Sequence, residues 1–255
     1  MSDDVSLNEL FAILLARDMR PGDRTVQVGA NMPMARAAAV LANLTTHPDM
    51  RILIGLGVHA LGSGAPPAVH PFLFDPRTLA AEAAMCQGEA FDDVHRPDVF
   101  FMSGLQLDRR GNVNLLGIPD GDGGWRVRGP GSVALASMST HCGGYYIVMP
   151  RHEPRTFVER VSLISALGDR TERERLRFPG GGPRLVLSPL GVFGFDAGGD
   201  MRVRTLHPGV TGEQVQEATG FDLGLDSEPP TTPAPTEDEL TALRERVDVH
   251  GTLRA

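Results

Sequence analysis

Arg126 and Arg128 stand two residues apart, just before Gly129-Pro130-Gly131. On an extended chain alternate side chains share a face. The pair could then clamp one anion, such as a carboxylate, through planar charge-assisted hydrogen bonds. The same residues could equally be two solvated cations on a surface loop. Asn31 lies between Val28-Gly29-Ala30 and Met32-Pro33. It could orient a ligand carbonyl, or cap the helix that Pro33 opens. Gly55-Leu56-Gly57 closes the apolar run Ile52-Leu53-Ile54. Glycines at such a point let backbone approach a ligand closely, or simply make a turn.

Other chemistries are absent from the pattern. There is no GxSxG elbow, and Gly55-Leu56-Gly57 lacks the third glycine and the downstream acid of a dinucleotide fingerprint. His141 and Cys142 are adjacent, and adjacent side chains diverge in regular structure, so they read as packing at a helix end rather than as a thiol beside its base. The eight histidines never form HxxxH, and Cys86 and Cys142 stand far apart outside any CxxC, so no metal site is expected. All 24 basic residues are arginine. That removes Schiff-base lysine chemistry and a Walker-type phosphate lysine from this chain.

The bulk properties narrow the partners. A net charge of −8 over 255 residues argues against nucleic acid, whose binding needs clustered positive charge. No apolar run approaches the roughly 20 residues of a bilayer span, so no membrane partner is expected. Met1-Ser2-Asp3-Asp4 lacks the charged-then-apolar pattern of a signal peptide, and a cytoplasmic location is the expectation.

The elements that must position these residues follow from periodicity. Ser6 can cap a helix with Leu7, Leu10, Phe11, Leu14 and Leu15 on one face. Thr25–Val28 reads as a strand, Ala35–Leu44 as a helix, and Arg51–Gly57 as a strand. That alternation predicts a parallel sheet covered by helices, in which ligands gather at the carboxyl ends of strands. A helix is expected over Leu79–Gln87, a strand over Val99–Met102, and a hairpin over Leu105–Leu115. Residues 120–132 are too glycine-rich for an element interior. Ser132 can cap a helix over Val133–Ser139. Strands are expected over Tyr145–Met149, Arg184–Phe195 and Met201–Leu206, and a helix capped by Thr211 over Glu213–Thr219. Residues 1–228 are expected to form one α/β domain. Residues 229–255 then form a Pro-rich linker and a last helix, begun by the capping box Thr236–Glu239 and packed on the domain.

Taken in order, several stretches resemble the β subunit of class I CoA transferases of the glutaconate and 3-oxoacid type. They are Val28–Pro33, Leu105–Asp108 with Gly111–Asn114, Gly129–Gly131, Phe157–Val161, His207–Thr211 with Glu217–Phe221, and the tail Pro233–Asp248. The resemblance implies an open, mostly parallel sheet with helices on both faces. It implies a homologous α subunit, in an α2β2 assembly, that completes the active site. It implies an acyl-CoA substrate, with coenzyme A as part of that substrate and no other cofactor. In the family's transferases the β subunit supplies a glutamate just after the second strand, which forms a glutamyl-CoA thioester. Matched through Ile52-Leu53-Ile54, that position holds Gly55, and no acid follows before Asp75.

One branch with this loss is the actinobacterial cholesterol ring-cleaving hydrolases. Their catalytic glutamate is placed in the α subunit, and they hydrolyse a carbon–carbon bond of a cyclic β-oxo acyl-CoA. This resemblance implies the same reaction here, with no certain catalytic residue in this chain. The implied substrate-binding set is Asn31, Gly55, Leu56, Gly57, Arg126 and Arg128. Two alternatives stay open: a CoA transferase acting on a dicarboxylic acyl-CoA, and a non-catalytic half that only completes the α site.

Overall fold

The computed structural model describes residues 5–29, 32–54, 57–60, 83–84, 96–132 and 134–254. They fall into two compact units: residues up to Phe101 together with those from Pro233 onward, and Met102–Thr232.

The first unit alternates helix and strand as its sequence demands. Helix α1 (Leu7–Asp18) opens with a full capping box, Ser6 and Glu9 each bonding the other's backbone N–H. Strand β1 (Thr25–Val28), helix α2 (Pro33–Thr45) and strand β2 (Arg51–Ile54) follow. Helix α2 starts on Pro33, whose missing N–H costs nothing at a first turn. Ala35, Ala37, Ala38, Ala39 and Ala42 are wholly buried, and such small side chains let α1 lie close along α2. Strand β1 is central and parallel to β2, with Val28 opposite Ile54. It is also parallel to the later strand Val99–Met102.

Two expectations need correction here. The strand expected over Arg51–Gly57 stops at Ile54. The chain then returns antiparallel as β3 (Gly57–Ala60), with Gly57 paired to Ile54. The helix expected over Leu79–Gln87 gives way at Ala83–Ala84, which form β4 against β3. Alanine is the best helix former, but propensity is a weak prior and pairing with a sheet edge overrides it. The rest of that expected helix lies outside the described residues. With β5 (Val99–Met102) the strand order in this unit is β5-β1-β2-β3-β4.

The C-terminal tail belongs to the first unit. Arg17 reaches Glu239 with two bonds of 2.7 and 2.6 Å, and also bonds the carbonyls of Pro233 and Ala234. Glu9, 1% exposed, takes Arg244 at 2.8 and 3.1 Å. Burial opposes its charge, but Arg244 and the Ser6 N–H hold its carboxyl below the ordinary range. The last helix, Glu237–Ala242, widens over Leu243–Val247, where Asp248 N–H reaches back five residues to Leu243 O.

The second unit holds the expected hairpin as β6 (Gln106–Asp108) and β7 (Val113–Asn114), then β8 (Gly117–Pro119) and β9 (Trp125–Arg128). Helix α3 (Leu135–His141) starts two residues later than expected. It is followed by β10 (Tyr145–Val148), β11 (Phe157–Val158) and helix α4 (Arg170–Arg175). The run expected as one strand over Arg184–Phe195 divides into β12 (Pro183–Ser188) and β13 (Gly191–Phe195), an antiparallel hairpin turning at Pro189-Leu190. Strand β14 (Met201–Leu206) extends it, and β10 lies parallel to β12, giving the order β14-β13-β12-β10. Helix α5 (Gly212–Glu217) carries the expected Thr211 cap. In each sheet region the parallel pairs thus stand at one side and antiparallel hairpins finish the other. No helix among the described residues is long and apolar enough to cross a membrane.

Candidate substrate-binding site

The β6–β7 hairpin carries the densest set of polar residues in the second unit, and all of them are engaged. Asp108 is 2% exposed, and its carboxylate accepts from the N–H groups of Arg110, Asn112 and Val161 and from Asn112 Nδ2. Burial pushes its pKa up, against the pull of those donors. Asn112 Oδ1 takes the N–H groups of Gly168 and Asp169. Asn114, wholly buried, donates to Gln106 Oε1 and Gly117 O and accepts from Leu116 and Gly117 N–H. Gln106 Oε1 also takes Ser162 N–H. Gly168 must be glycine, because a Cβ there would collide with Gly111 O. These residues pin loops 115–117 and 160–169, and the Asp108 carboxylate and the Asn114 amide are fully taken up.

Two histidines, His152 half-buried and His207 buried, are engaged in the same way. His152 stacks flat on Phe157 at 3.6 Å. Its Nδ1 meets Ser188 Oγ at 2.7 Å and its Nε2 meets Thr219 Oγ1 at 2.9 Å. Because the Thr219 hydroxyl donates to Val215 O, it accepts from Nε2–H, and Nδ1 is left to accept the Ser188 hydroxyl proton. Burial lowers the His152 pKa to about 3. A serine paired with a histidine base is a nucleophile's geometry, but Ser188 is 0% exposed and the third partner is a hydroxyl, not an acid. His207 is 3% exposed and is likewise held between Thr232 Oγ1 and Ser188 O, both at 3.0 Å. Cys142, at the end of α3, is fully buried with its thiol pushed up to about 11, so it is inert, as the sequence implied.

Polar groups with capacity to spare lie elsewhere. A cleft of about 320 Å³ is lined by Leu105, Ile118, Val127, Met149, Pro150 and Arg151, with Gly104, Glu153, Arg155 and Thr156 completing it. Met149-Pro150-Arg151 directly follow the carboxyl end of β10, and Gly104-Leu105 follow β5. Those strand ends are where open α/β folds bind ligands. The β8–β9 hairpin brings Ile118 and Val127 to the cleft and carries Arg126 and Arg128.

All four residues of β9 are exposed, so the glycine-rich stretch does hold an extended element, with Arg126 and Arg128 two apart on it. Glycine makes the hairpin fit: a Cβ at Gly129 would collide with Leu115 O, and one at Gly117 would strike the Trp125 ring. Arg128 is partly engaged. Its guanidinium sits 4.9 Å over the Trp125 ring and donates to Leu116 O at 3.2 Å. Arg126 makes no hydrogen bond or ion pair among the described residues.

In the first unit, Gly29 ends β1 with its Cα facing Phe101 O, where a Cβ would stand at 3.0 Å. Gly57 sits inside the β2–β3 hairpin as a paired strand residue. Asn31, Gly55 and Leu56 lie outside the described residues. Sequence reasoning missed Arg151 and the cleft. The one available signal was a cation directly after a buried strand.

No protein-family model matches the chain. The β-type subunit of the 3-oxoadipate CoA-transferase of Pseudomonas knackmussii is 34% identical over 248 residues, covering 94% of this chain and 92% of that one. This chain belongs to the class I CoA-transferase β-subunit family. A second relative, the cholesterol ring-cleaving hydrolase IpdB subunit of Mycobacterium tuberculosis, is 33% identical over 256 residues and 94% of each chain. The crystal structure of Rhodococcus jostii IpdAB superposes with a TM-score of 0.79 at 26% identity over 98% of each chain. The relatives are subunits of heteromeric enzymes, so membership implies a partner subunit for this chain too. The transferase and the hydrolase relatives lie at nearly the same identity, so overall likeness does not choose between their reactions.

Proposed function

We propose that this chain is the β subunit of a heteromeric hydrolase that cleaves a carbon–carbon bond in a cyclic β-oxo acyl-CoA, with coenzyme A carried by the substrate. The observation that carries this reading is the composition after β2. Position 55 is glycine, and no aspartate or glutamate occurs from Arg51 through Phe74. Glycine has no group to hold an acyl chain, so the glutamyl thioester of a transferase has no place to form on this strand. Hydrolysis needs only a general base and fixed donors for the developing oxyanion. A carboxylate of the partner subunit takes a proton from water, and the water oxygen adds to the ring ketone. The ring bond then breaks toward the carbon alpha to the thioester. The electron pair leaves as the thioester enolate, which takes up a proton, so the product gains one water overall.

The absence of a side chain at 55 leaves room for a ring. By the family resemblance, the proposed substrate-binding residues are Asn31, Gly55, Leu56, Gly57, Arg126 and Arg128, the two arginines serving a substrate carboxylate. Arg126 has the free guanidinium such a role needs. The complex is cytoplasmic in this reading, and of α2β2 form.

The test is to mix the purified chain and its partner subunit with a cyclic β-oxo acyl-CoA and follow ring opening by the mass gain of water. The expected result is ring opening without release of free coenzyme A. CoA transfer to a carboxylate acceptor, with no ring opening, would falsify it. A second reading, transfer onto a dicarboxylic acid, draws support from the 34% identity to the 3-oxoadipate enzyme's subunit. Hydroxylamine trapping after exposure to acyl-CoA separates the two, since only the transferase yields a modified glutamate on this chain.

A further inference from the structure

The cleft beside β9 has a charge pattern that its apolar floor makes specific. Leu105, Ile118, Val127 and Pro150 offer hydrocarbon surface, with Met149 buried directly beneath it. Val127 is 40% exposed and adds open apolar surface to the cleft. Three charged side chains line the same cleft. Glu153 and Arg155 form an ion pair, Nε to Oε1 at 2.8 Å, so the lining carries one positive charge in excess. The Arg151 guanidinium makes no hydrogen bond or ion pair among the described residues, and only its main-chain carbonyl is bonded, by Thr156 Oγ1 at 3.4 Å. One uncompensated cation therefore stands over an apolar floor, at the carboxyl end of a parallel strand.

That combination selects its occupant. A phosphate or a nucleotide would seek several cations and free N–H groups, and would leave the floor uncovered. A purely apolar ligand would leave Arg151 facing hydrocarbon. We infer that this cleft binds a compact hydrocarbon body bearing a single free carboxylate. Arg151 serves as counter-ion, and Leu105, Ile118, Val127 and Pro150 lie against the hydrocarbon, with Met149 just beneath them. Identifying the occupant as a carboxylate-bearing portion of the substrate, held by Arg151 in addition to Arg126, rests on the acyl-CoA reading above. The binding chemistry does not.

The experiment uses the complex of this chain with its partner subunit, methionine methyls labelled with carbon-13, and 4-methylcyclohexanecarboxylate as probe. The neutral amide of the same acid is the control. Met149, identified by the signal lost in Met149→Leu, reports occupancy of the cleft. The expected result is a saturable shift of the Met149 methyl by the carboxylate, with the amide about tenfold weaker or worse. In Arg151→Met the two probes become equal, and in Val127→Asp carboxylate binding falls while the amide is less affected. An unmoved Met149 signal, or acid and amide binding alike to the unsubstituted complex, overturns the site. So does an Arg151→Met protein that still prefers the acid. The probe carries no coenzyme A and undergoes no reaction, so this test and the ring-opening assay fail independently.

Discussion

The β6–β7 hairpin and the β8–β9 hairpin lie close in sequence, and each carries conspicuous polar residues. In the first, Gln106, Asp108, Asn112 and Asn114 are buried, and their acceptor oxygens are taken up by one another and by loops 115–117 and 160–169. In the second, Arg126 is exposed and makes no bond among the described residues, and Val127 shares a cleft with Arg151, whose guanidinium is likewise unbonded among them. A motif rich in asparagine and aspartate looks like chemistry in a sequence. Here it is scaffold, because burying a polar group is tolerated only when it is fully bonded. Function is better sought where bonding capacity remains.

The largest expected effect tests the scaffold half of this contrast. Asp108→Ala removes the acceptor of four bonds and strands their donors in a buried site, at a cost of about 4 kcal/mol in chemical denaturation of the complex. A loss near 1 kcal/mol would mean that Asp108 is not structural, and the contrast would break.

Next comes acid sensitivity. The His152 pKa falls from the ordinary 6.5 to about 3 on folding, because burial disfavours the charged ring. In that window the unfolded chain binds a proton that the folded chain refuses. Stability contributed here is therefore intact above pH 6.5 and is lost as pH falls toward 3, by on the order of 3 kcal/mol. His152→Gln should flatten that part of the stability–pH curve, and an unchanged slope would show that another group carries it.

Gly168→Ala should cost about 2 kcal/mol, since the added methyl meets Gly111 O and the hub must shift. The smallest effect on stability sharpens the other side. Arg126→Met should move stability by less than about 0.5 kcal/mol, yet raise KM for a carboxylate-bearing substrate about tenfold. Should both stability and KM stay as they were, Arg126 is a solvated cation and the β9 side of the site is lost.

Much of the fold was legible because it rests on local chemistry. Ser6, Thr211 and Thr236 each announced a helix start, and each accepts the N–H it was expected to accept. The alternation over residues 7–54 gave parallel strands because buried apolar runs joined by helices can pair in no shorter way. The failures were of a different kind. Ala83–Ala84 became a strand because a neighbour offered an edge, and the β2 run turned back at Ile54 because β3 paired with it. Neither partner is written into the local residues.

The site divides along the same line. The sequence by itself determined what cannot happen: no carboxylate between Arg51 and Phe74, no lysine anywhere, and so no acyl-enzyme or Schiff base on those positions. It also determined family membership, through ordered motifs that run the length of the chain. Only the tertiary structure decided which polar residues are free. Whether Asp108 or Arg151 has bonding capacity left depends on backbone groups up to 53 residues away, Val161 N–H for the first and none among the described residues for the second. Spacing carries no information about such distant partners, because hydrogen bonds are satisfied in three dimensions.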